Sequence, residues 1–396
     1  MNPAPPTPTV LIVGGPDVDA RIELMSRLRP EFNCIAAGSA PDLAQRFETA
    51  GFAYHAYPLN RGVAPAADLR SVYRLWRLCR TLRPQIVHTF DPKPSVWGRL
   101  AARAAGVPII IGTLPGLGSL YARDSAITRL VRTIYQPLQT WACRSSQLTI
   151  FQNSADERQF IAAGVVAERA SMVMPGSGVA INIFDRAAIS DEALAGARAS
   201  LGIRPGELVV TMISRVIRSK GVPEFVGAAR LLRARYPHLR FVLIGATDEE
   251  SLDRLSPAEL AELRQSLTWP GPRRDIAALL AITDLFALPS AYREGIPRVL
   301  MEAAAMALPI VTTDSPGCNE VVEDETNGLL VPAHDTGALV RAITRLVEQP
   351  DLRQRFGRAS RARAVERFDL ALIAQQTRSI YRELLARGAP APVAPA

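Results

Sequence analysis

Residues 284–313 read DLFALPSAYREGIPRVLMEAAAMALPIVTT and contain the pattern that recurs along the chain. An apolar run, LFAL, is followed by a polar loop, a helix-forming segment and a second apolar run, IVTT. Pro297 suits the first turn of that helix because it lacks an N–H group and its φ is fixed near the helical value. Short apolar runs joined by a helix are typical of parallel strands in a sheet that is covered on both faces.

The same alternation extends from this stretch through the whole chain, in two series. Helical segments such as 191–201 and 224–236 lie between the apolar runs. The pattern predicts an α/β protein with two Rossmann-like domains, each a doubly wound parallel sheet, facing a central cleft. The apolar runs lie at 9–13, 85–89, 108–112, 148–152 and 171–175, and then at 208–213, 240–245, 284–289, 309–313 and 328–332.

A Gly-, Ser- and Pro-containing stretch, PGSGVAINIF (175–184), predicts the junction between the two domains. We therefore expect the first domain over residues 1–182 and the second over 183–365. An amphipathic helix at about 366–388 is expected to return and complete the first domain.

Composition limits the class of protein. The 396 residues are 48% hydrophobic, and such a chain is too long for one core, because cores stop growing at about 250–300 residues. No apolar run approaches the roughly 20 residues that span a bilayer, and the first residues do not resemble a signal peptide, so we expect a cytosolic protein. The cysteines show neither metal-ligand nor disulfide spacing; they are Cys34, Cys79, Cys143 and Cys318.

Ligands of open parallel sheets bind beyond the carboxyl ends of the strands, so the loops after the apolar runs are the candidate sites. In the opening stretch, the N–H groups of Arg298 and Val299 lie at the positive end of a helix dipole and favour a phosphate. Glu302 in the second turn and Glu294 in the loop can accept hydrogen bonds from sugar and ribose hydroxyls. The alternative is that both glutamates cap or decorate a surface helix.

Three further loops carry candidate residues. Arg215 and Lys220 follow the run at 208–213, where they can neutralise a diphosphate leaving group, although solvated cations are common there. Gly14 and Gly15 form a turn that lets a ligand approach the backbone. The Asp17-x-Asp19 pattern beside this turn indicates either a metal site or a helix N-cap.

The fourth loop, HTFDPKPSVWGRL (88–100), is followed at 112–118 by GTLPGLG. It places His88, Asp91 and Lys93 at the end of a strand, and both segments are expected to face the cleft. His88 is a candidate catalytic residue, but a lone histidine is more often a satisfied structural residue.

The net charge of +8 comes almost entirely from the first half of the chain. Residues 1–190 contain 20 basic and 13 acidic side chains, against 26 and 25 in the rest. The segment LRSVYRLWRLCRTLR (69–83) predicts a basic amphipathic helix suited to anionic lipid, with a solvated basic face as the alternative. Nucleic acid is not expected, because no recognition motif accompanies the charge. The residues concerned are Arg70, Arg74, Arg77, Arg80 and Arg83, with Trp76 beside them.

Two segments together resemble a known family. The first is SRVIRSKG with WPGPRRDIAALLAITDLFALPSAYREGIPRVLMEAAAMALPIVTTDSPGCNEVVEDETNGLLVP, and the second is PQIVHTFDPKPSVWGRLAARAAGVPIIIGTLPGLG. They resemble the retaining GT-B glycosyltransferases of family GT4, above all bacterial enzymes that extend undecaprenyl-diphosphate-linked oligosaccharides. The two glutamates with seven residues between them, and Arg215 and Lys220 upstream, carry most of the resemblance.

The resemblance implies a role for each candidate residue. Glu302 would bind the ribose hydroxyls of a nucleotide sugar, Glu294 the hydroxyls of the donor sugar, and Arg215 with Lys220 the diphosphate. Backbone groups would supply the remaining donor contacts. They belong to Gly295, Ile296, Pro297, Arg298 and Val299 for the phosphate and sugar, and to Pro272 and Arg273 for the base. Independently of the resemblance, the turn at Gly14 and Gly15 is a further candidate contact with the donor.

The sequence departs from the family at one position that matters for chemistry. Many relatives have a second histidine where this chain has Phe90, so we expect catalysis to depend on charge stabilisation, with Asp91 as a candidate helper. The resemblance also implies front-face attack with retention, no metal ion, a UDP-linked donor and a polyprenyl-diphosphate-linked acceptor at the inner face of the plasma membrane. A nucleotide-sugar 2-epimerase and a non-catalytic nucleotide-sugar-binding partner are the alternatives.

Overall fold

The computed structural model describes residues 7–60, 64–116, 126–249, 251, 253–293 and 295–388, with the backbone alone at 126–132 and 134. The chain divides into two compact units. The first comprises Met1–Met174 and Ala371–Ala396, and the second comprises Pro175–Leu370.

The first unit is built on a parallel sheet of seven strands. Its strands are β1 (Thr9–Val13), β2 (Asn33–Gly38), β3 (Ala53–Ala56), β4 (Ile86–Phe90), β5 (Ile109–Leu114), β6 (Leu148–Phe151) and β7 (Ser171–Val173). They are arranged in the order β3-β2-β1-β4-β5-β6-β7. Every residue of β4 and β5 is buried, as expected for central strands covered by helices on both faces.

In the described part of the first unit, seven α-helices accompany this sheet. They are α1 (Ile22–Leu28), α2 (Ala44–Thr49), α3 (Pro65–Leu82), α4 (Pro92–Ala104), α5 (Ala126–Arg144), α6 (Ser154–Ala162) and the C-terminal helix, which is counted last. Helix α4 packs between α3 and α5. The C-terminal helix, from Ala371 onward, belongs to this first unit.

The second unit repeats the arrangement with six parallel strands. They are β8 (Leu208–Ile213), β9 (Leu239–Ile244), β10 (Thr268–Gly271), β11 (Leu285–Leu288), β12 (Ile310–Thr313) and β13 (Gly328–Val331), in the order β10-β9-β8-β11-β12-β13. The helices of the second unit are α7 (Asp191–Ser200), α8 (Val222–Arg235), α9 (Pro257–Ser266), α10 (Ile276–Ala281), α11 (Arg298–Ala305), α12 (Cys318–Val321), α13 (Thr336–Glu348) and α14 (Pro350–Arg363). The C-terminal helix of the first unit is α15 (Leu370–Ala386).

The observed limits of the units differ from the predicted domain limits by several residues, because residues 175–184 are tied to the second unit. Val179 N–H donates to Phe368 O at 2.8 Å, and Leu370 N–H donates to Val179 O at 3.0 Å. Phe184 lies in the core of the second unit, where Arg361 Nη1 donates to its carbonyl at 2.8 Å. The Gly- and Pro-containing stretch therefore belongs to the second unit, which begins at Pro175.

The strand order places a switch point in each sheet. In the first unit β2 and β3 lie on one side of β1, and the strands from β4 onward lie on its other side. In the second unit β9 and β10 lie on one side of β8, and the strands from β11 onward lie on the other. The loops after β1 and β4, and those after β8 and β11, therefore flank the crevice where open α/β sheets bind ligands.

Candidate active site

The carboxyl ends of β8 and β11 bring the two predicted diphosphate-binding cations together. Arg215 follows β8, and Lys220 ends the short helical turn Arg218–Lys220. The Tyr292 ring, in the loop after β11, has its centroid 5.0 Å from Lys220 Nζ and 5.9 Å from Arg215 Cζ. Both cations therefore lie against one aromatic ring at the switch point.

Arg215 also has an acidic partner that sequence reasoning missed. Its Nη1 donates to Asp248 Oδ2 at 2.6 Å, and Asp248 follows the neighbouring strand β9. A guanidinium has five N–H donors, so this contact is compatible with phosphate binding. Arg218, three residues along the chain, pairs instead with Glu259 of α9. Of these two arginines, only Arg215 contacts the Tyr292 ring.

The backbone joins the two loops tightly. Ala291 N–H donates to Ser219 O at 2.8 Å. Gly221 has φ of 81°, and a Cβ atom at this position would lie 2.1 Å from Pro289 O. A side chain cannot be accommodated there without moving the backbone, so this glycine is required for the close approach of the loops.

Helix α11 begins at the predicted phosphate-facing turn. Gly295, Ile296 and Pro297 are buried, Val299 is half-buried and Arg298 is exposed. The helix starts at Arg298, one residue later than predicted, since Pro297 has ψ of 119° and is its N-cap. The first amides of a helix have no partner inside it, and they are the groups that a phosphate can reach.

Glu302 is buried in the second turn of α11, with 7% of the residue exposed. Its Oε1 accepts from Arg298 Nε at 2.8 Å, so a neighbouring guanidinium balances its charge. Only the backbone of Arg298 was predicted to contribute to the site, whereas its side chain also holds the Glu302 carboxylate. Glu294, the other predicted acid, lies outside the described residues.

Pro272 and Arg273 follow the edge strand β10. The Arg273 side chain forms a two-point ion pair with Asp275, with Nε donating to Oδ1 at 2.8 Å, and its Nη1 donates to Ser200 Oγ at 3.3 Å. Hydrogen bonding to Asp275 raises the pKa of Arg273 and lowers that of Asp275. The side chain is thus occupied, which is compatible with the predicted role of the backbone.

In the first unit, Asp91 links the loops after β1 and β4. Its Oδ2 accepts from Gly15 N–H at 2.9 Å, while Tyr57 OH donates to Gly14 O at 2.8 Å. Asp91 has φ of 71° and ψ of 155°, a region that is almost restricted to glycine and costs on the order of 1–3 kcal/mol. The fold therefore maintains a strained aspartate beside the Gly-Gly turn.

His88 lies in the middle of a hydrogen-bonded network. Its Nδ1 bonds to Tyr381 OH and its Nε2 to Thr113 Oγ1, both at 2.7 Å, and Phe90 stacks on its ring. Burial, with the charges of Arg21 and Arg99 as smaller causes, lowers the pKa of His88 to about 3. With both nitrogens bonded inside the unit, its contacts indicate a structural role.

The predicted basic helix is α3, and its exposed face is both charged and apolar. Arg70, Arg74, Arg77 and Arg80 are exposed, and within the described residues none of them forms an ion pair. Leu69 and Tyr73 on the same face are 72% and 55% exposed, whereas Trp76 is half-buried against the core. Lys93 does not share this face of unpaired charge, because its Nζ donates to Asp68 Oδ1 at 2.7 Å.

One carboxylate of the acidic pattern after β1 has a partner elsewhere in the first unit. Asp19 is in an ion pair with Arg46 of α2. In the described part of the chain, no three His, Cys, Asp or Glu side chains are grouped so that they could hold a metal ion. Over the same residues, no helix has the length and apolar character needed to cross a membrane.

Comparison with solved structures identifies the class of fold. The crystal structure of the Anabaena protein HepE in complex with UDP-glucose aligns with a TM-score of 0.77 over 95% of this chain and all of its own, at 21% identity. The likeness at this identity concerns the fold, which is GT-B.

Family profiles match both units. "Glycosyl transferases group 1" matches residues 196–363, and "Glycosyl transferase 4-like domain" matches residues 22–176. The chain belongs to the group 1, GT4-like glycosyltransferases, and the two profiles together cover most of its length.

Two relatives align with nearly the whole chain. One is UDP-Gal:alpha-D-GlcNAc-diphosphoundecaprenol alpha-1,3-galactosyltransferase of Escherichia coli, 26% identical over 367 residues, which are 92% of either chain. The other is N,N'-diacetylbacillosaminyl-diphospho-undecaprenol alpha-1,3-N-acetylgalactosaminyltransferase of Campylobacter jejuni, 27% identical over 87% of this chain and 89% of its own.

Proposed function

We propose that this glycosyltransferase moves a hexose or N-acetylhexosamine from a UDP-sugar to a saccharide carried on a polyprenyl diphosphate, with retention at the anomeric carbon. The observation that carries the proposal is the cluster of Arg215, Lys220 and the start of α11 at the switch point of the second unit. The two full-length relatives support the substrate class, because both act on acceptors linked to undecaprenyl diphosphate.

The donor diphosphate would meet positive charge from two directions. Arg215 and Lys220 present cationic side chains, and the amides of Arg298 and Val299 add the positive end of the α11 dipole. These groups stabilise the negative charge that develops on the leaving UDP. We therefore propose that no metal ion is required, since the protein itself supplies the charge that Mg²⁺ supplies in other transferases.

The hydroxyl groups of the donor would be held by the acids. A carboxylate accepts several hydrogen bonds, so Glu302 can keep its contact with Arg298 and still accept from the ribose hydroxyls. Glu294 would accept from the donor sugar, a role that rests on its place in the sequence. Backbone groups of Pro272 and Arg273 would hold the base.

The chemistry would be a front-face displacement. The bond between the anomeric carbon and the β-phosphate oxygen breaks, and the acceptor oxygen bonds to the same face of that carbon. The acceptor proton passes to the departing phosphate oxygen, so no basic side chain is needed at Phe90. Asp91 would be a helper in this step, and the Gly14–Gly15 turn would contribute backbone contacts to the donor. His88 is left out of the proposal because both its nitrogens are already bonded.

The proposed acceptor saccharide is carried on a lipid, and α3 would bring the enzyme to that lipid. The arginines of α3 attract anionic headgroups, and Leu69 and Tyr73 can enter the interface between headgroups and acyl chains. We assign the apolar contact with lipid to Leu69 and Tyr73, which are exposed, and not to Trp76, which was predicted for it but is half-buried. We propose peripheral binding at the inner face of the plasma membrane.

A transfer assay tests the proposed function. Radiolabelled UDP-sugars are offered with polyprenyl-diphosphate-linked saccharides, with and without EDTA, and the lipid product and released UDP are measured. We expect label in the lipid fraction with one UDP-sugar, at the same rate in EDTA, and the α-anomer in the product by NMR. Sugar isomerisation without an acceptor would contradict the proposal, and so would activity lost in EDTA and restored by Mg²⁺.

A further inference from the structure

Tyr292 is in contact with both cations of the donor site, and nothing in the sequence analysis assigned it a role. Its ring centroid lies 5.0 Å from Lys220 Nζ and 5.9 Å from Arg215 Cζ, both within the distance at which a cation is attracted to an aromatic face. Two like charges on neighbouring loops would otherwise repel each other, and the ring is a common attractive partner for both.

Hydrogen bonds hold the main chain at Tyr292 and at the residue before it. Tyr292 N–H donates to Ser290 Oγ at 3.2 Å, and the preceding Ala291 N–H donates to Ser219 O at 2.8 Å. Ser290 is fully buried, so this part of the loop after β11 is anchored to the loop after β8. The main chain that carries the ring is thus held by contacts that do not involve the cations.

The exposure of Arg215 shows why a ring that holds its side chain in place is needed. Its side chain is 47% exposed, and a long exposed side chain loses considerable rotamer freedom when a ligand immobilises it. Asp248 holds one end of the guanidinium and the Tyr292 ring lies against it. A donor therefore meets a cation that is already oriented, which lowers the entropic cost of binding.

We propose that Tyr292 is a positioning residue that holds Arg215 and Lys220 side by side for the diphosphate of the donor. The inference rests on the proposed function, because it assumes that these cations bind a diphosphate. It assigns the role to the aromatic face. The hydroxyl makes no hydrogen bond to any residue within the described ranges, so a phenylalanine is expected to serve equally well.

The test compares Tyr292→Phe and Tyr292→Leu with a matched control, Tyr236→Leu. Tyr236 is also half-buried in the second unit and carries Arg235 over its ring at 5.0 Å, but its hydroxyl bonds to Glu348. Affinities for UDP and for uridine are measured by calorimetry and ligand-observed NMR. Uridine has no phosphate, so it reports on the rest of the nucleotide site.

We expect Tyr292→Leu to lower the affinity for UDP about tenfold, because two cation–π contacts are lost. The affinity for uridine should stay within about twofold of the parent. Tyr292→Phe and Tyr236→Leu should bind UDP like the parent. Equal UDP affinity in Tyr292→Leu, or an equal loss for UDP and uridine, would overturn the inference. If the parent itself binds neither compound, the proposed function has failed instead.

A second measurement keeps the inference testable if Tyr292→Leu does not fold. Fluorinated phenylalanines introduced at position 292 keep the shape of the ring and progressively weaken its attraction for cations. UDP affinity should fall with each added fluorine. An affinity that is independent of fluorination would overturn the role of the ring.

Discussion

Glu302 illustrates how much of the environment of a single residue can be predicted from the sequence. The apolar sequence from Ala303 to Val311 beside this acid favours burial, and a buried acid needs a partner; Glu302 is buried and accepts a hydrogen bond from Arg298. The identity of the partner, Arg298, follows from helical spacing of four residues. The partners of Arg215 did not follow, because Asp248 and Tyr292 are distant in sequence and only the folded sheet brings them together.

A prediction at this scale concerns ribose recognition by Glu302. We expect the parent to bind UDP about 10- to 100-fold more tightly than 2′,3′-dideoxy-UDP, because a hydrogen bond to a charged group contributes about 1.5–3 kcal/mol. Glu302→Ala should remove this preference. Glu207→Ala, which breaks an ion pair with Arg240 instead, is the control. A preference unchanged in Glu302→Ala would contradict the assigned role.

A second prediction concerns His88 and pH. The folded protein holds His88 neutral, with its pKa lowered to about 3, whereas an unfolded chain takes up a proton near its ordinary value of 6.5. Its contribution to stability is therefore complete above that value and is lost as pH falls. Between pH 8 and pH 5 the loss is about 2 kcal/mol.

Urea unfolding of the first unit at both pH values measures this loss. Replacing His88 by Gln lowers stability at pH 8, because burial and two hydrogen bonds are disturbed, but it should make stability less dependent on pH by about 2 kcal/mol. Parallel pH profiles for the parent and His88→Gln would show that His88 is not the titrating group.

At the scale of elements, apolar runs predicted ten of the strands to within two residues at either end. Three strands were missed, and their composition explains why. β2 (NCIAAG) and β3 (AYHA) contain alanine and few β-branched residues, and β10 (TWPG) contains Pro and Gly, which are tolerated because it is an edge strand. Tertiary pairing decides such segments, and propensity does not reveal them.

The junction of two elements at Gly221 gives a third prediction. Gly221→Ala places a Cβ atom 2.1 Å from Pro289 O at a φ of 81°, so the loops after β8 and β11 must separate. Gly202→Ala is a matched control, since Gly202 has φ of 63° with nothing within 4 Å of the added atom. Both variants bear the strain of about 1 kcal/mol that a positive φ imposes.

Only Gly221→Ala should also lose donor affinity and destabilise the second unit further. Differential scanning calorimetry and UDP titration separate these effects. Equal behaviour of the two variants would mean that the contact between the loops has no role in donor binding.

Helix α3 gives a fourth prediction. Arg74→Glu combined with Arg77→Glu should weaken binding to vesicles containing anionic lipid by more than about tenfold, because each basic residue near the surface contributes about 1 kcal/mol. Arg158→Glu with Arg169→Glu makes the same change of charge at exposed sites elsewhere in the first unit. Equal sedimentation of the two double variants with vesicles would argue against α3 as the membrane-binding face.

On the scale of the whole molecule, the strand order explains where the site residues lie. Each unit has a switch point, and the loops chosen from the sequence flank it: Gly14–Gly15 with Asp91 in one unit, Arg215 with α11 in the other. The rule that ligands bind at the carboxyl ends of strands thus selected loops that flank the two switch points. The choice between occupied and available side chains needed the structure, which shows His88 and Lys93 bonded within their own unit.

The central claim is that a nucleotide sugar binds through its diphosphate at the switch point of the second unit. Calorimetric titration of the parent with a panel of UDP-sugars, in EDTA, tests it most directly when repeated with Arg215→Ala combined with Lys220→Ala. We expect saturable binding of at least one UDP-sugar to the parent, at least about 100-fold weaker binding to the double variant, and parent-like binding to Arg218→Ala, whose partner is Glu259. A folded double variant that binds the same UDP-sugar as tightly as the parent would contradict the claim.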